Sequence, residues 1–308
     1  MCGIRLKRLF IAVACIAMVQ YSYSETSDDT LLNIALTSRQ VKSRIDASMQ
    51  LSADMLATNE TESDKHFDMA MFLCETNKLE LKSIQIIRSQ IELYAKNNKP
   101  LKIIHILEKY PVISRYGYNS QIADLYLRAS TILMDNNIFD KTIIYLMTAL
   151  NNSAAASDTA IIIRINNDLG YCYSQFFDYR KSLDYLEEAE RMSLIAREYD
   201  CLPDIYANMG TSYAYQDDID MALTYSFKSL KYSYHYGGKS TVWQQYKNIA
   251  KLYAERGDFT SAITYYKKSL EDETGSRTLA DTADLTMSIG ELFLKLKHYD
   301  SAYSCLNN

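Results

Sequence analysis

Asp64, His66 and Asp68 place an imidazole between two carboxylates, donors that suit a divalent cation. On a helix, however, positions i and i+2 face different ways, so the three side chains do not converge and no metal is expected. Glu187-Glu188 and Asp217-Asp218 are adjacent acids of the kind that could divide acid–base work. On amphipathic helices such pairs form the wet face instead. Lys247 and Lys251 are four apart. That spacing projects two amines from one helix face toward an acidic or C-terminal group, or leaves them as a solvated pair. Cys74, Cys172, Cys201 and Cys305 lie 98, 29 and 104 residues apart, which fits no metal or redox motif. Cys172 and Cys201 are the nearest pair for a disulfide; small apolar side chains on helices are the simpler role. The sequence contains no Gly-rich phosphate loop, His-Glu-x-x-His helix or Gly-x-Ser-x-Gly elbow. A non-enzymatic protein without metal or cofactor is expected.

The elements that must carry these residues are helices. The 308 residues are 48% apolar and 23% charged, with only 9 Gly and 3 Pro. That is too apolar for a disordered chain and too poor in turn residues for a β-sandwich or barrel. The formal charge is −5, with no Lys/Arg-rich block to offset it, so nucleic acid is excluded as a partner of this region.

Arg5, Lys7 and Arg8 precede an apolar run from Leu9 to Val19, and Ser22-Tyr23-Ser24 then offers small residues before acidic Glu25. This three-part layout is that of a secretory signal peptide over 1–24, too short to span a bilayer. Ala12-Val13-Ala14-Cys15 weakly resembles a lipoprotein cleavage box but lacks the usual leading Leu. An exported, periplasmic or cell-surface location is expected.

Self-similarity is the main signal. Ser130, Gly170, Gly210, Ala250 and Gly290 stand 40 residues apart, and so do Leu133, Tyr173, Tyr213, Tyr253 and Phe293. Phe139, Tyr179, Ile219, Phe259 and Tyr299 form a third column, with Thr142, Ser182, Ala222, Ala262 and Ala302 three residues on. Tyr145, Tyr185, Tyr225 and Tyr265, then Cys305, form a fifth. A small and a bulky residue three apart share one helix face. The small one admits a neighbouring helix, and the aromatic fills the space beside it. Asp178, Asp218 and Asp258 suit the N-cap of a second helix, and Pro203 the first turn of the next first helix. Gly237-Gly238 and Gly275 suit helix stops. Each unit is a helix hairpin that cannot bury its apolar face alone, so the fold expected is an all-α solenoid of stacked hairpins.

Leu169-Gly170-Tyr171-Cys172-Tyr173, Met209-Gly210-Thr211-Ser212-Tyr213 and Ile249-Ala250-Lys251-Leu252-Tyr253 with Ala262 resemble the tetratricopeptide repeat (TPR). The resemblance implies a right-handed superhelix. With the signal peptide at 1–24, the chain divides into an N-terminal helical segment at 25–83 that does not match the repeat and a solenoid over 84–308. The units are 84–122, 123–162, 163–202, 203–242, 243–282 and a truncated 283–308. The period of 40 rather than the usual 34 residues should lengthen the second helix or its following loop. The last unit stops inside its second helix, so a continuing segment, with any membrane tether, is expected beyond residue 308.

The resemblance further implies a concave partner-binding groove lined by the first helices. Its positions map to Asn167, Tyr171, Ser174 and Gln175, then to Thr211, Ala214 and Tyr215. They continue through Gln244, Lys247, Lys251 and Glu255 to Met287, Glu291 and Lys295. Ala207 and Thr211 replace residues of the TPR carboxylate clamp, which disfavours recognition of chaperone tails. The tyrosine columns are expected to pack; Tyr171 and Tyr215 are the better ligand contacts. The function expected is an exported scaffold for a peptide or protein, the sensory part of a larger membrane-anchored regulator. The alternative is a surface glycan- or nutrient-binding protein, for which Trp243 is the one tryptophan platform.

Overall fold

The computed structural model describes residues 27–112, 117–236, 242–272 and 277–306. The signal-peptide pattern, Cys15, Gly237, Gly238 and Gly275 lie outside these residues. Fifteen α-helices and no strand are found among the described residues. The first seven are α1 (Ser27–Thr37), α2 (Val41–Met55), α3 (Glu60–Thr76), α4 (Glu80–Lys96), α5 (Pro100–Lys109), α6 (Asn119–Asp135) and α7 (Phe139–Ala156). Then come α8 (Thr159–Gln175), α9 (Tyr179–Ala196), α10 (Leu202–Ala214), α11 (Ile219–His235), α12 (Val242–Glu255), α13 (Phe259–Glu271), α14 (Leu279–Lys295) and α15 (Tyr299–Leu306). A short 3-10 turn, Tyr199–Cys201, leads into α10. The chain forms two compact units, one ending at Asn137 and the other starting at Ile138.

Local chemistry fixes the hairpin register. The Asp178, Asp218 and Asp258 carboxylates accept the backbone N–H of Lys181, Met221 and Ser261, at 3.3, 3.1 and 3.0 Å. These are the expected N-caps, and Pro203 lies in the first turn of α10 as expected. Just before each cap the backbone turns left-handed, at Phe177 (φ 61°), Asp217 (φ 59°), Gly257 (φ 85°) and Lys297 (φ 61°). There the N–H of Asp178, Asp218, Asp258 and His298 returns to the carbonyl of Tyr173, Tyr213, Tyr253 and Phe293. The aromatic column therefore also ends each first helix, through the six-to-one hydrogen bond of a Schellman turn.

In the second unit α7 packs on α8, and the hairpins α8–α9, α10–α11, α12–α13 and α14–α15 follow, each second helix meeting the next first helix. Leu223 of α11 is buried with Ile249 and Leu252 of α12, and Ile263 of α13 with Leu285, Ile289 and Leu292 of α14. Each such side chain contributes about 1.5–3 kcal/mol when buried against the next hairpin. The extra repeat length lies in the helices: α8 has 17 residues and α9 has 18. Buried Ser229 and Ser269 tie second helices to first-turn carbonyls, donating to Pro203 and Trp243, each at 2.7 Å.

The tyrosine columns pack in a repeated arrangement. Tyr173 stacks on Tyr185 (5.4 Å, 5°), Tyr213 on Tyr225 (5.3 Å, 7°) and Tyr253 on Tyr265 (5.3 Å, 6°). Lys181, Lys228 and Lys268 lie 5.2, 4.5 and 4.8 Å from a ring centroid of each pair, within cation–π range. Tyr173, Tyr213 and Tyr253 are half-buried, not enclosed. All four cysteines among the described residues are free thiols, and burial pushes that of Cys172 up to about 12.

In the first unit α1 packs on α2, α2 pairs with α3, and α4 with α5 and α6. Second helices begin at Glu60, Pro100, Phe139 and Tyr179, 39 or 40 residues apart, so the spacing continues through 25–83, although that segment lacks the aromatic columns. Polar bridges join neighbouring repeats across 36 to 38 residues: Lys82–Asp46 (3.0 Å), Arg128–Glu92 (2.6 Å), Lys102–Asp64 (2.7 Å) and Arg88–Asp124. Asp64 also accepts from Tyr94, and Asp68 from Lys109 and Tyr110, whereas His66 turns into the core with its Nε2 unpartnered. The Asp64, His66 and Asp68 side chains thus serve separate contacts, and Asp64 is not on a freely solvated helix start.

Candidate functional site

First helices α8, α10, α12 and α14 present a wall of polar and aromatic side chains that bridge from one repeat to the next. Asn208 of α10 donates to the Asn167 Oδ1 of α8 at 2.9 Å, and Lys247 of α12 meets Asp284 of α14 at 2.5 Å. Lys247 is therefore bound to its own neighbour, and Lys251, exposed and without an ion pair, is the amine left to a ligand. The expectation of two projecting amines gives way to one, because the next first helix places a carboxylate within reach.

The other expected groove residues divide into committed and open ones. Tyr171 lies half-buried, its ring 6.0 Å from Phe139, and Thr211 returns its hydroxyl to the Ala207 carbonyl at 3.0 Å. Ser174 is buried and donates to the Tyr171 carbonyl, while Gln175 reaches only Ser174, at 3.4 Å. Tyr215 is 54% exposed and stacks on Tyr179 at 5.9 Å. Gln244, Glu255, Met287, Glu291 and Lys295 are exposed. Trp243 is buried beside Ala250 and Ile263, so it offers no platform to a sugar.

Two features escaped the sequence reading, one on this wall and one in the first unit. Asp168, beside Asn167, has its carboxyl pushed up to about 6 by burial, against the pull of Arg164. Positions 164 and 168 share a helix face four residues apart, but that spacing does not report burial. The second feature is a cleft of about 300 Å³ between α2 and α4, walled by Met49, Gln50, Gln85, Ser89 and Leu93 and crossed by the Lys82–Asp46 pair.

Comparison with known proteins agrees with the fold. The tetratricopeptide repeat family model matches residues 246–271, the α12–α13 hairpin. A tetratricopeptide repeat protein from Parabacteroides merdae is similar at 12% identity and TM-score 0.56, covering 85% of this chain and 90% of that one. A signal transduction ATPase with a tetratricopeptide repeat sensor, from Pyrococcus horikoshii, is similar at 16% identity and TM-score 0.56 over 88% of this chain and 40% of that one. At such identities the likeness is one of fold. No curated protein sequence matches. The chain carries a tetratricopeptide repeat over 246–271 and has the fold of tetratricopeptide-repeat proteins, an α-solenoid of stacked hairpins. Its fold is that of a scaffold for peptides or proteins.

Proposed function

We propose that the chain is an exported scaffold that holds a peptide or protein partner on the first-helix wall of its second unit. The observation that carries this reading is a contrast between the two walls. Tyr185, Tyr225 and Tyr265 on second helices are held in stacked pairs with Tyr173, Tyr213 and Tyr253, whereas Tyr215 at the end of α10 and Gln244, Lys251 and Glu255 on α12 stand exposed. An exposed aromatic beside a free amine and a carboxylate suits a peptide with one apolar anchor and mixed charge. Export rests on the signal-peptide pattern of residues 1–24. No helix among the described residues is long and apolar enough to cross a membrane.

The regulator role is the finer part of the reading: the repeats would be the sensory region of a longer signalling protein, with any membrane tether beyond residue 308. The repeat sensor of the Pyrococcus horikoshii ATPase is a precedent for such use of this fold. Site-specific photo-crosslinking in the exporting cell tests the wall. A photoreactive residue at Tyr215 or Lys251 should capture a discrete partner, while one at Ile195, exposed on a second helix, should not. Capture from Ile195 alone would move the binding surface to the other wall.

A further inference from the structure

We infer that the cleft between α2 and α4 binds a free α-amino acid whose uncharged side chain ends in a carbonyl, of which glutamine is the example. The first feature that points there is an unused donor. Gln90 of α4 lines the cleft and is 0% exposed, yet its Nε2 has no hydrogen-bond acceptor. Its Oε1 accepts from the buried Ser52 hydroxyl of α2 at 3.4 Å, and Ser52 Oγ lies 3.2 Å from Ser63 Oγ of α3. The carboxamide is thus held at one end and offers the other. The Tyr94 hydroxyl lies near enough to feel it, but Tyr94 donates to Asp64 and takes at most one of the two N–H bonds. A buried donor without an acceptor is costly, and a ligand carbonyl relieves that cost.

The second feature is the Lys82–Asp46 pair, which crosses the cleft at 3.0 Å with its side chains 33% and 51% exposed. Exposed ion pairs hold weakly, so a ligand can open this one. An anion or a cation alone would strand one partner. A zwitterion satisfies both, its carboxylate meeting Lys82 and its ammonium Asp46. Apolar surface from Met49 and Ala53 of α2 and from Ile86 and Leu93 of α4 suits the stem of the side chain. Positions 82 and 90 are about 12 Å apart along α4. An extended glutamine of about 6 Å, with a hydrogen bond of about 3 Å at each end, covers that span. A volume of about 300 Å³ is at the small end for ligand sites, which suits one amino acid rather than a stretch of chain. The cleft lies within the first unit, so its occupation does not depend on the partner-binding wall of the second.

Isothermal titration calorimetry of the purified chain with L-glutamine, L-norleucine and glutaramic acid tests the assignment. L-Glutamine should bind with a millimolar or tighter Kd. L-Norleucine, which lacks the acceptor, and glutaramic acid, which lacks the ammonium, should each bind at least about tenfold more weakly. Gln90→Met, close in shape to the parent residue, should remove the preference for glutamine over norleucine. Asp46→Asn should remove the preference over glutaramic acid, and since Asp46 is exposed this variant tests the site even where Gln90→Met fails to fold. No saturable heat from L-glutamine, equal binding of the three compounds, or a preference that survives its own variant overturns the proposal.

Discussion

Gly170 and Leu186 lie so close that a methyl group on the Gly170 Cα would sit 2.5 Å from the Leu186 Cγ. The small column of the repeat is therefore a steric requirement of the α8–α9 crossing. Gly170→Ala should destabilise the chain by about 1–2 kcal/mol, overpacking of about 1–3 kcal/mol being partly offset by about 1 kcal/mol of helix propensity. Gly210→Ala should cost less, because its nearest neighbours, Ser226 Oγ and the Ala222 carbonyl, stand at 3.1 and 3.2 Å. Urea unfolding of the two variants gives the ranking, and an equal loss would contradict the assigned contact.

Tyr213 and Tyr215 separate packing from binding within three residues. Tyr213 is half-buried on Tyr225, so Tyr213→Ala should cost about 2 kcal/mol, below the roughly 3–5 kcal/mol of a fully enclosed aromatic. Exposed Tyr215→Ala should leave thermal unfolding within about 0.5 kcal/mol of the parent.

Phe177 holds a left-handed backbone at the position where the α12–α13 hairpin has Gly257. Phe177→Gly should raise the melting temperature, by relief of about 1 kcal/mol of backbone strain. A fall would show that the edge contact of Phe177 on Tyr179 matters more than the strain.

Asp168 makes stability depend on pH. Its folded pKa of about 6 stands above the unfolded value near 3.8, so the native state binds the proton more tightly. Stability is retained below pH of about 4 and lost as pH rises through about 6. Asp168→Asn should remove that fall and leave the variant the more stable protein at pH 8. Parallel melting curves from pH 4 to 8 measure it.

Much of this was legible from residues 123 onward, where Gly170, Gly210 and Tyr253 recur with aspartate caps and local rules of capping and spacing decide the structure. The α2–α3 hairpin was hidden because its register is held by Lys82–Asp46 and Lys99–Glu60 bridges between repeats, and long-range pairs leave no local pattern. Lys247 was misjudged for the same reason, since its partner Asp284 lies on the next first helix. The exposure of Tyr215 and Lys251 followed from repeat position. Asp168 was overlooked because burial of a carboxylate depends on neighbouring helices rather than on spacing.

The central claim is that the first-helix wall binds the partner while the hairpin stack only holds it in shape. The direct measurement is the Kd of the photo-captured partner for the parent chain and for the Tyr215→Ala, Lys251→Glu double variant, with melting followed in parallel. The account predicts at least a tenfold weaker Kd at an unchanged melting temperature. An unchanged Kd, or a loss of binding that appears only with a loss of fold, would contradict it.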